Sequence, residues 1–341
     1  MKDSLNVAIA GATGYVGLEL INILNKHPKV KIIYLFAQKS IGKKINNFDI
    51  RIKNKSLPKI SSLKKIDWTK INVIFTALPN GEAQRIAKKM PSQVKLIDLS
   101  ADFRIKDYRE YKKWYGINHA CKELIKRSIY SITEFQRKKI KNYDIISCPG
   151  CYPTSIQLPL IPLLKERLIN FNNIIIDSKS GYSGAGKNIK KKFAFKNMFD
   201  SVSAYGVGSH RHMAEIDQEL SVIAKKKISV SFTPHLIPMF RGILSTIYLD
   251  TTGNITAEKI YKYLKKYHKK NYFIKFANFN SSLSTGDVMN TNFCKISVCK
   301  TRRRNKIIII AAIDNLMKGA SGQAVQNMNV AFNLNESISL K

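Results

Sequence analysis

Acidic residues are scarce in this 341-residue chain, where 23 Asp and Glu stand against 58 Lys and Arg, a formal net charge of +35. A balance this basic makes binding to nucleic acid or to an anionic membrane surface an alternative to weigh. The basic residues are spread along the chain, however, and clusters such as Lys190–Lys192, Lys225–Lys227 and Arg302–Arg304 are short enough to be solvated turns. Because no interleaved aromatic and basic motif accompanies them, we expect no nucleic-acid partner.

Long apolar runs are also missing. No stretch approaches the roughly 20 apolar residues that a membrane-spanning helix needs, so we expect no membrane partner. Met1–Asn6 is polar, and the apolar stretch after it is short and interrupted by glycine. We therefore expect no secretory leader and a cytoplasmic location.

The chain contains few cysteines, and their number is odd. The five cysteines are Cys121, Cys148, Cys151, Cys294 and Cys299. An odd count in a chain with no expected leader indicates free thiols in a reducing compartment. The spacing of Cys294 and Cys299 does not supply a second Cys-x-x-Cys pair, so we expect no metal site.

Short apolar runs alternate with helical patterns in the first half of the chain. A helix is predicted at Tyr15–Leu24, and such alternation indicates an α/β fold with a doubly wound, mostly parallel sheet of the Rossmann type. The predicted strands are Val7–Ala10, Lys31–Ala37, Val73–Ala77, Val94–Leu99 and Ile145–Ser147.

The second half has more strands and fewer helices, which indicates an α+β domain with a mixed sheet. The change of pattern places the boundary near Pro149–Gly150, and Met317–Phe332 is predicted to be a closing helix. The predicted strands here are Ile174–Ser178, Ile228–Phe232, Gly242–Asp250, Phe293–Cys299 and Lys306–Ile313.

A glycine-rich segment, Gly11-Ala-Thr-Gly-Tyr-Val-Gly17, lies between the first predicted strand and the first predicted helix. In this setting small residues let the backbone approach a pyrophosphate, whose charge is stabilised by the helix N-terminus. We predict a dinucleotide site here; the alternative is a tight turn required only for packing. The predicted contacts are Gly11, Thr13, Gly14, Tyr15, Val16 and Gly17.

The end of the second predicted strand bears on which dinucleotide binds. NAD enzymes usually carry a carboxylate there for the ribose 2′-hydroxyl. This strand is followed by Lys39 and Ser40 instead, and a cation with a hydroxyl suits a 2′-phosphate. The sequence thus favours NADP; the alternative is that Lys39 is an ordinary surface lysine.

Cys151 is the candidate nucleophile. It follows an apolar strand and precedes a helical run in which Pro153 suits the first turn. A helix N-terminus and nearby cations lower the pKa of a thiol, and the resulting thiolate can attack a carbonyl carbon. Two alternatives remain: a small core residue, or a redox pair with Cys148.

Two histidines, His210 and His212, flank an arginine just before the helical run Glu215–Ile223. Histidine exchanges protons near neutral pH. In an extended segment, side chains two residues apart point the same way, so both rings are expected to face one cleft. Either is a candidate acid/base, with His212 slightly favoured; the alternative is an exposed polar turn.

Three cations are candidate ligands for a phosphate or carboxylate. Arg104 and Arg241 have the forked guanidinium that suits either anion, but each fits a surface salt bridge equally well. Lys187 ends a second small-residue loop, Ser180–Lys187, whose Gly184 backbone is a candidate cofactor contact.

Taken together, these motifs resemble the N-acetyl-γ-glutamyl-phosphate reductase family, which is related to aspartate-semialdehyde dehydrogenase. The resemblance spans nearly the whole chain. It is carried by Gly11-Ala-Thr-Gly-Tyr-Val-Gly-Leu-Glu-Leu, Asp98-Leu-Ser-Ala-Asp-Phe-Arg, Pro149-Gly-Cys-Tyr-Pro-Thr, Ser183-Gly-Ala-Gly, His210-Arg-His and the segment that opens Asp314-Asn-Leu-Met-Lys-Gly.

The resemblance implies NADPH-dependent reduction of N-acetyl-glutamyl 5-phosphate to the 5-semialdehyde through a thioester on Cys151, in arginine biosynthesis. It further implies that the histidines supply the acid/base and that Asn315 lies near the nicotinamide. The first domain would be discontinuous, residues 1–150 and 318–341, with 151–317 as the catalytic and oligomerisation domain. Such enzymes are homo-oligomers, here a homodimer or homotetramer, built through the sheet of the second domain.

Three positions depart from the family pattern. Cys148 and Asn80 stand where Asn and His are expected, and Ala214 stands where Pro is expected. Cys148 raises the question of whether the nucleophile is prone to disulfide formation. A related acyl-phosphate reductase, such as aspartate-semialdehyde dehydrogenase, is the nearest alternative function.

Overall fold

The computed structural model describes residues 4–187 and 200–341, so the Lys190–Lys192 cluster lies outside the described residues. The described chain forms two compact units. The first contains the residues up to Pro149 together with Ala320–Lys341, and the second contains Gly150–Gly319. Each unit is built on one sheet, the first parallel and the second mixed, which confirms the predicted fold class.

Eight α-helices lie in the described residues, and a short π-helix, Met317–Ser321, precedes the last of them. In chain order they are α1 (Tyr15–Leu24), α2 (Glu82–Ala87), α3 (Tyr108–Tyr115), α4 (Thr133–Gln136), α5 (Cys151–Lys165), α6 (His212–Ala224), α7 (Ala257–Tyr267) and α8 (Gly322–Ala331).

The sheet of the first unit has seven strands, all parallel, in the order β3-β2-β1-β4-β5-β7-β6. Because the chain leaves β1 first toward β2 and later toward β4, the carboxyl end of β1 is the point where the strand order reverses, the usual ligand edge of such sheets. The strands are β1 (Leu5–Ala10), β2 (Val30–Phe36), β3 (Ile60–Ser61), β4 (Val73–Thr76), β5 (Lys95–Asp98), β6 (Ser128–Tyr130) and β7 (Ile145–Ser147).

The C-terminal residues belong to this first unit. Ser321 Oγ donates to Val16 O at 2.9 Å, and His27 Nε2 lies 3.0 Å from Asn329 Oδ1. Asn327 accepts from the hydroxyls of Ser131 and Thr133. These buried polar contacts fix α8 beside α1 and the β6–α4 connection.

The sheet of the second unit has the order β12-β13-β14-β11-β8-β10-β9 and mixes parallel with antiparallel pairs. On one side of it, α5 packs against β11, β14, α6 and α7. The strands are β8 (Ile175–Gly181), β9 (Ser203–Ala204), β10 (Ser231–Ile237), β11 (Ile243–Asp250), β12 (Ile274–Phe276), β13 (Cys294–Lys300) and β14 (Lys306–Ile313).

Helix α5 is buried along most of its length despite Pro159 and Pro162 in its interior. A proline lacks the N–H that would bond four residues back, so Pro162 releases the carbonyl of Leu158. The ring of His268 satisfies that carbonyl, with Nε2 3.1 Å from Leu158 O, while Asn271 lies 2.8 Å from Nδ1. The residues that follow α7 thus contact the interior of the helix that begins at Cys151.

Candidate active site

Cys151 is the first residue of α5, as the sequence predicts, and its side chain is half-buried. Gly150 caps the helix in an extended conformation, φ −64° and ψ 159°. The thiol therefore lies where the positive end of the helix dipole favours a thiolate. Pro153 is the third helical residue, where the missing N–H costs no intrahelical bond.

Gly319 brings a second segment to the nucleophile. A Cβ added to it would lie 2.8 Å from the Cβ of Cys151, so the backbone of the π-helix passes directly over that residue. The Gly319 N–H donates to Asp314 O at 3.0 Å. Single turns of π-helix are frequent at functional sites, and here the turn requires glycine beside the cysteine.

His212 is the first residue of α6, and its ring lies against the residue that precedes the nucleophile. A Cβ added to Gly150 would be 2.4 Å from His212 Nε2. The side chain of His212 keeps 19% of its surface exposed. The imidazole is thus packed beside the start of α5 and still reaches solvent.

Glu215 is a site residue that the sequence did not single out. Its side chain is fully buried, and Oε2 accepts the Gly150 N–H at 2.9 Å while Oε1 lies 3.9 Å from His212 Nε2. His212 and Glu215 are three residues apart on one helix face, a spacing that brings side chains together. That spacing, visible in the sequence, is the signal that could have identified the pair.

His210 occupies a different environment from His212. Its ring packs at 5.4–5.6 Å, centroid to centroid, against Tyr152, Tyr205 and Phe232, and its Nδ1 accepts the His212 N–H at 3.2 Å. Burial and the neighbouring His212 and Arg211 lower the pKa of His210 to about 2, so its imidazole is neutral. The predicted extended segment is wrong, because Arg211, the N-cap of α6, has right-handed helical backbone angles, φ −56° and ψ −30°. The two histidine rings nevertheless contact each other, with their centroids 4.7 Å apart.

Asn315 and Gly184 lie together in the second unit. The Gly242 N–H donates to Asn315 Oδ1 at 2.7 Å, and Asn315 Nδ2 donates to Ser183 Oγ at 2.8 Å. A Cβ on Gly184 would stand 3.7 Å from that same Nδ2. The buried amide of Asn315 therefore joins three loops, those after β8, before β11 and after β14.

The three candidate cations are placed differently. Arg241 is 8% exposed and donates from Nη1 to Asp314 at 3.1 Å and to Asn290 at 2.8 Å, so it forms a buried ion pair instead of a surface one. Lys187 is exposed, and it also lies in the second unit. Arg104 belongs to the first unit, where it is buried and donates from Nη2 to Leu99 O.

The glycine turn after β1 fits a pyrophosphate. Gly11 has φ +89°, and a Cβ there would be 2.2 Å from Ala77 O; a Cβ on Gly17 would be 2.2 Å from Gly11 O. Gly14 caps α1, whose first turn has no acidic residue. Residues 13–16 remain partly exposed at this helix N-terminus, and the backbone amides of a first helical turn, which lack intrahelical partners, suit an anion.

Lys39 and Ser40 follow β2 at the same edge of the sheet. Lys39 is exposed, and Ser40 is in the left-handed region with φ +72°. The Ser40 carbonyl accepts the Lys43 N–H at 3.1 Å, which closes a turn. A flexible cation and a hydroxyl therefore stand together at the end of the second strand.

Cys148, the other half of the Cys-x-x-Cys pair, is buried in the first unit. Burial raises the pKa of its thiol to about 12, and Asn327 Nδ2 lies 3.6 Å from its Sγ. None of the five cysteines, all within the described ranges, forms a disulfide. Since disulfide exchange needs a thiolate, Cys148 is a poor partner for the nucleophile.

Two family models match the chain, the semialdehyde dehydrogenase NAD-binding domain over residues 6–143 and the semialdehyde dehydrogenase dimerisation domain over residues 151–315. An N-acetyl-gamma-glutamyl-phosphate reductase from Ehrlichia ruminantium is 45% identical, covering 100% of this chain and 98% of that protein. The chain belongs to the N-acetyl-gamma-glutamyl-phosphate reductase family. Another member, from Geotalea daltonii, is 41% identical over 99% of this chain and 98% of its own length.

Membership of this reductase family makes the chain an oxidoreductase with a nicotinamide-dinucleotide domain and a dimerisation domain. A probable chloroplastic member from Oryza sativa is 41% identical over 99% of this chain and 82% of that protein. The sequence-based assignment to the family is confirmed.

Solved structures resemble the reductase in fold. Aspartate semialdehyde dehydrogenase II from Vibrio cholerae superposes with a TM-score of 0.72 at 19% identity, over 97% of this chain and 99% of that one. The enzyme from Candida albicans, solved with NADP, gives 0.71 at 15% identity over 98% and 100%. Within residues 4–187 and 200–341, no helix has the length and apolarity to cross a membrane, and no cluster of three metal-ligating side chains occurs.

Proposed function

We propose that this protein reduces N-acetyl-glutamyl 5-phosphate to N-acetyl-glutamate 5-semialdehyde and phosphate, with NADPH as reductant, as a step of arginine biosynthesis. The observation that carries the proposal is the half-buried Cys151 at the start of α5 with the His212 ring packed beside Gly150, in a chain of this family. A thiolate at a helix N-terminus is a nucleophile suited to an acyl phosphate.

In the first stage, Cys151 Sγ attacks the acyl carbon and the bond from that carbon to the phosphate oxygen breaks. Phosphate leaves with the electron pair, and a thioester remains on the cysteine. Splitting the reduction in this way lets the hydride add to a neutral acyl group that is covalently held on the enzyme, instead of to a substrate that carries a charged phosphate. Arg104, Lys187 and Arg241 are the proposed cations for the phosphate and carboxylate groups.

In the second stage, the reduced nicotinamide supplies, when bound, the hydride that the thioester carbon accepts. His212 donates a proton to the oxygen, which gives a hemithioacetal on Cys151. The imidazole then takes the proton back from the hydroxyl as the carbon–sulfur bond breaks, and the semialdehyde and the thiolate are released. His210, the other candidate catalytic histidine, is proposed to orient the substrate, and its Nδ1 also accepts the His212 N–H.

The proposed cofactor contacts are the turn residues Gly11, Thr13, Gly14, Tyr15, Val16 and Gly17, with Gly184 and Asn315 near the nicotinamide. The buried hydrogen bonds of Asn315 to the loops of Ser183 and Gly242 support such a positioning role.

Lys39 and Ser40 are proposed to select NADP through the 2′-phosphate. We expect Lys39→Glu to weaken NADPH binding by about tenfold or more, because one charge-assisted hydrogen bond is worth about 1.5–3 kcal/mol, and to leave NADH binding nearly unchanged. Fluorescence titration with both dinucleotides measures the two affinities. Lys43→Glu, four residues later on the same surface, is the matched control, and equal weakening by both variants would refute a specific contact.

The protein is proposed to act in the cytoplasm as a homodimer or homotetramer assembled through the sheet of the second unit. The match to a dimerisation domain supports this proposal. The side chains of Ile175 on β8 and Tyr248 on β11 are 44% and 43% exposed, so large apolar groups stand on that sheet where a second copy would cover them.

The proposed function is tested by running the reaction in reverse. N-acetyl-glutamate semialdehyde plus NADP should give NADPH only when inorganic phosphate is present, because phosphate must cleave the thioester. Oxidation without phosphate would indicate a hydrolytic dehydrogenase and would refute the acyl-phosphate assignment. Aspartate semialdehyde, tested in the same assay, should react far more slowly.

A further inference from the structure

A cavity of about 310 Å³ lies in the second unit, between the β13–β14 turn and the nearby ends of β8, β11 and β14. Small-molecule pockets have volumes of roughly 300–1,000 Å³. Lys306, the first residue of β14, borders the cavity. Ile313, the last residue of that strand, lies beside Gly319 near the nucleophile. At about 3.3 Å per residue the two ends of β14 are roughly 23 Å apart, so the cavity is separate from the candidate active site.

The floor of the cavity is a row of apolar side chains on the exposed face of the sheet. Tyr248 on β11 is the register partner of Ile175 on β8 and of Ile308 on β14. Paired residues on neighbouring strands point to the same face, and all three line the cavity. Ile175 and Tyr248 are among the most exposed large apolar residues of the unit. An aromatic ring or short hydrocarbon that lies on this row removes apolar surface from water.

The rim of the cavity is the β13–β14 turn, which the hydroxyl of Thr301 holds in shape. Thr301 Oγ1 lies 2.9 Å from Arg303 O and 3.1 Å from Lys306 O, and it accepts the Arg303 N–H at 3.1 Å. Arg302 and Arg303 are exposed on this turn and line the cavity. Their forked guanidinium groups suit bidentate binding of a phosphate or carboxylate. The turn thus presents two such groups beside the apolar row.

The charges at the rim are only partly balanced. Lys306 Nζ pairs with Asp250 Oδ1 at 2.6 Å, and Asn173 Nδ2 donates to the other carboxylate oxygen at 2.7 Å. These two hydrogen bonds, with a smaller contribution from the charge of Arg303, lower the pKa of Asp250, which therefore stays ionised and bound to Lys306. In the described part of the chain, Arg302 and Arg303 form no ion pair. Their positive charges are available to an anion.

We propose that this cavity binds a phosphate monoester whose organic part is aromatic or aliphatic. A phosphate monoester carries a charge of about −1.5 to −2 at pH 7, which matches the two guanidinium groups of Arg302 and Arg303. The organic part covers the apolar row on the sheet. Apolar walls beside cations also strengthen the electric field that attracts an anion. The site uses no residue of the proposed reaction and is a second ligand site of the protein.

A second copy of the chain is the alternative occupant, because the cavity opens on the sheet face through which we propose that copies assemble. The charge balance favours the ester. A chain with a net charge of +35 brings more cations than anions to an interface with itself, so it is a poor source of the negative charge that Arg302 and Arg303 attract.

The test is a titration of the full-length protein with phenyl phosphate, followed by the NMR signals of the isoleucine δ1 methyl groups. Ile175→Val and Ile308→Val assign the two signals from the cavity floor by their loss. We expect both signals to shift and to saturate together, because the phenyl ring lies against these methyl groups. Since the two probes stand in the cavity itself, phosphate bound at the candidate active site does not produce this result.

Two double variants and a second ligand test the two halves of the site. Arg302→Ala/Arg303→Ala should weaken phenyl phosphate binding by about tenfold or more, because charge-assisted hydrogen bonds are lost. Lys226→Ala/Lys227→Ala removes two exposed cations after α6 and, as the matched control, should change the affinity by less than about twofold. Inorganic phosphate should bind about tenfold more weakly than phenyl phosphate, because it leaves the apolar row uncovered.

Unchanged Ile175 and Ile308 signals in the assembled protein would show that a second copy fills the cavity and would overturn the proposal. Equal affinity in wild type and in Arg302→Ala/Arg303→Ala would do the same, and so would inorganic phosphate binding as tightly as the ester. The arginine variant should keep wild-type turnover in the phosphate-dependent reverse assay, so a failure of the proposed function is measured separately.

Discussion

Cys151→Ser is expected to lower kcat/KM by on the order of 10³-fold or more while dinucleotide binding stays unchanged. A serine hydroxyl at the start of α5 would keep the size and place of the thiol, but it would not ionise near neutral pH, and the helix N-terminus would have no anion to stabilise. Turnover in the reductive direction and NADPH titration by fluorescence measure the two effects separately.

The matched control is Cys299→Ser on β13. Cys299 is also half-buried, and its Sγ lies 3.6 Å from Ser281 O, a contact that a serine hydroxyl can replace. This variant should keep near-normal activity. Turnover close to wild type in Cys151→Ser, or an equal loss in both variants, would contradict the nucleophile assignment.

In the first unit, five of the seven strands and the first and last helices were predictable from the sequence, whereas β6 and the helices α2, α3 and α4 were not predicted. Helix α1 has the predicted bounds, Tyr15–Leu24, and β1 begins two residues earlier than predicted. The glycine turn marks the end of β1 and the start of α1, because the apolar run of the strand stops before it and the helical pattern of apolar residues starts after it. The two-residue β3 and β9 were not predicted, since strands this short carry no alternation and exist only through pairing with longer neighbours.

A site residue was predictable where a chemically reactive residue type lies at the end of a secondary-structure element that the sequence itself indicates. Cys151 fits this description, since a strand and a helical run flank it in the sequence. The different surroundings of His210 and His212 were not predictable, because they depend partly on packing of His210 against Tyr152 and Phe232, which are distant in the chain. The spacing of Glu215 from His212 was visible in the sequence, but its contact with Gly150 was not, since that contact arises from helix packing.

Gly150→Ala is expected to reduce kcat/KM by about 100-fold, the cost of displacing a catalytic group by about 1 Å, with the fold retained. Gly150 has φ −64°, which alanine adopts without strain. Its new Cβ would, however, lie 2.4 Å from His212 Nε2. The imidazole would have to turn away from the start of α5 and from Glu215, so kcat should fall more than KM rises. Steady-state kinetics and thermal unfolding measure both consequences.

Gly286→Ala is the matched control, because its φ is also outside the left-handed region and its Cβ would make only an ordinary contact, 3.4 Å from Ser284 Oγ. This variant should keep wild-type kinetics. Both variants replace glycine by alanine, but only Gly150→Ala places the new methyl group against His212. A kinetic difference between the two variants therefore reports on displacement of the imidazole. If Gly150→Ala retained full activity and a native melting curve, the His212 ring would not stand beside the nucleophile's helix during turnover, and another group would have to donate the proton.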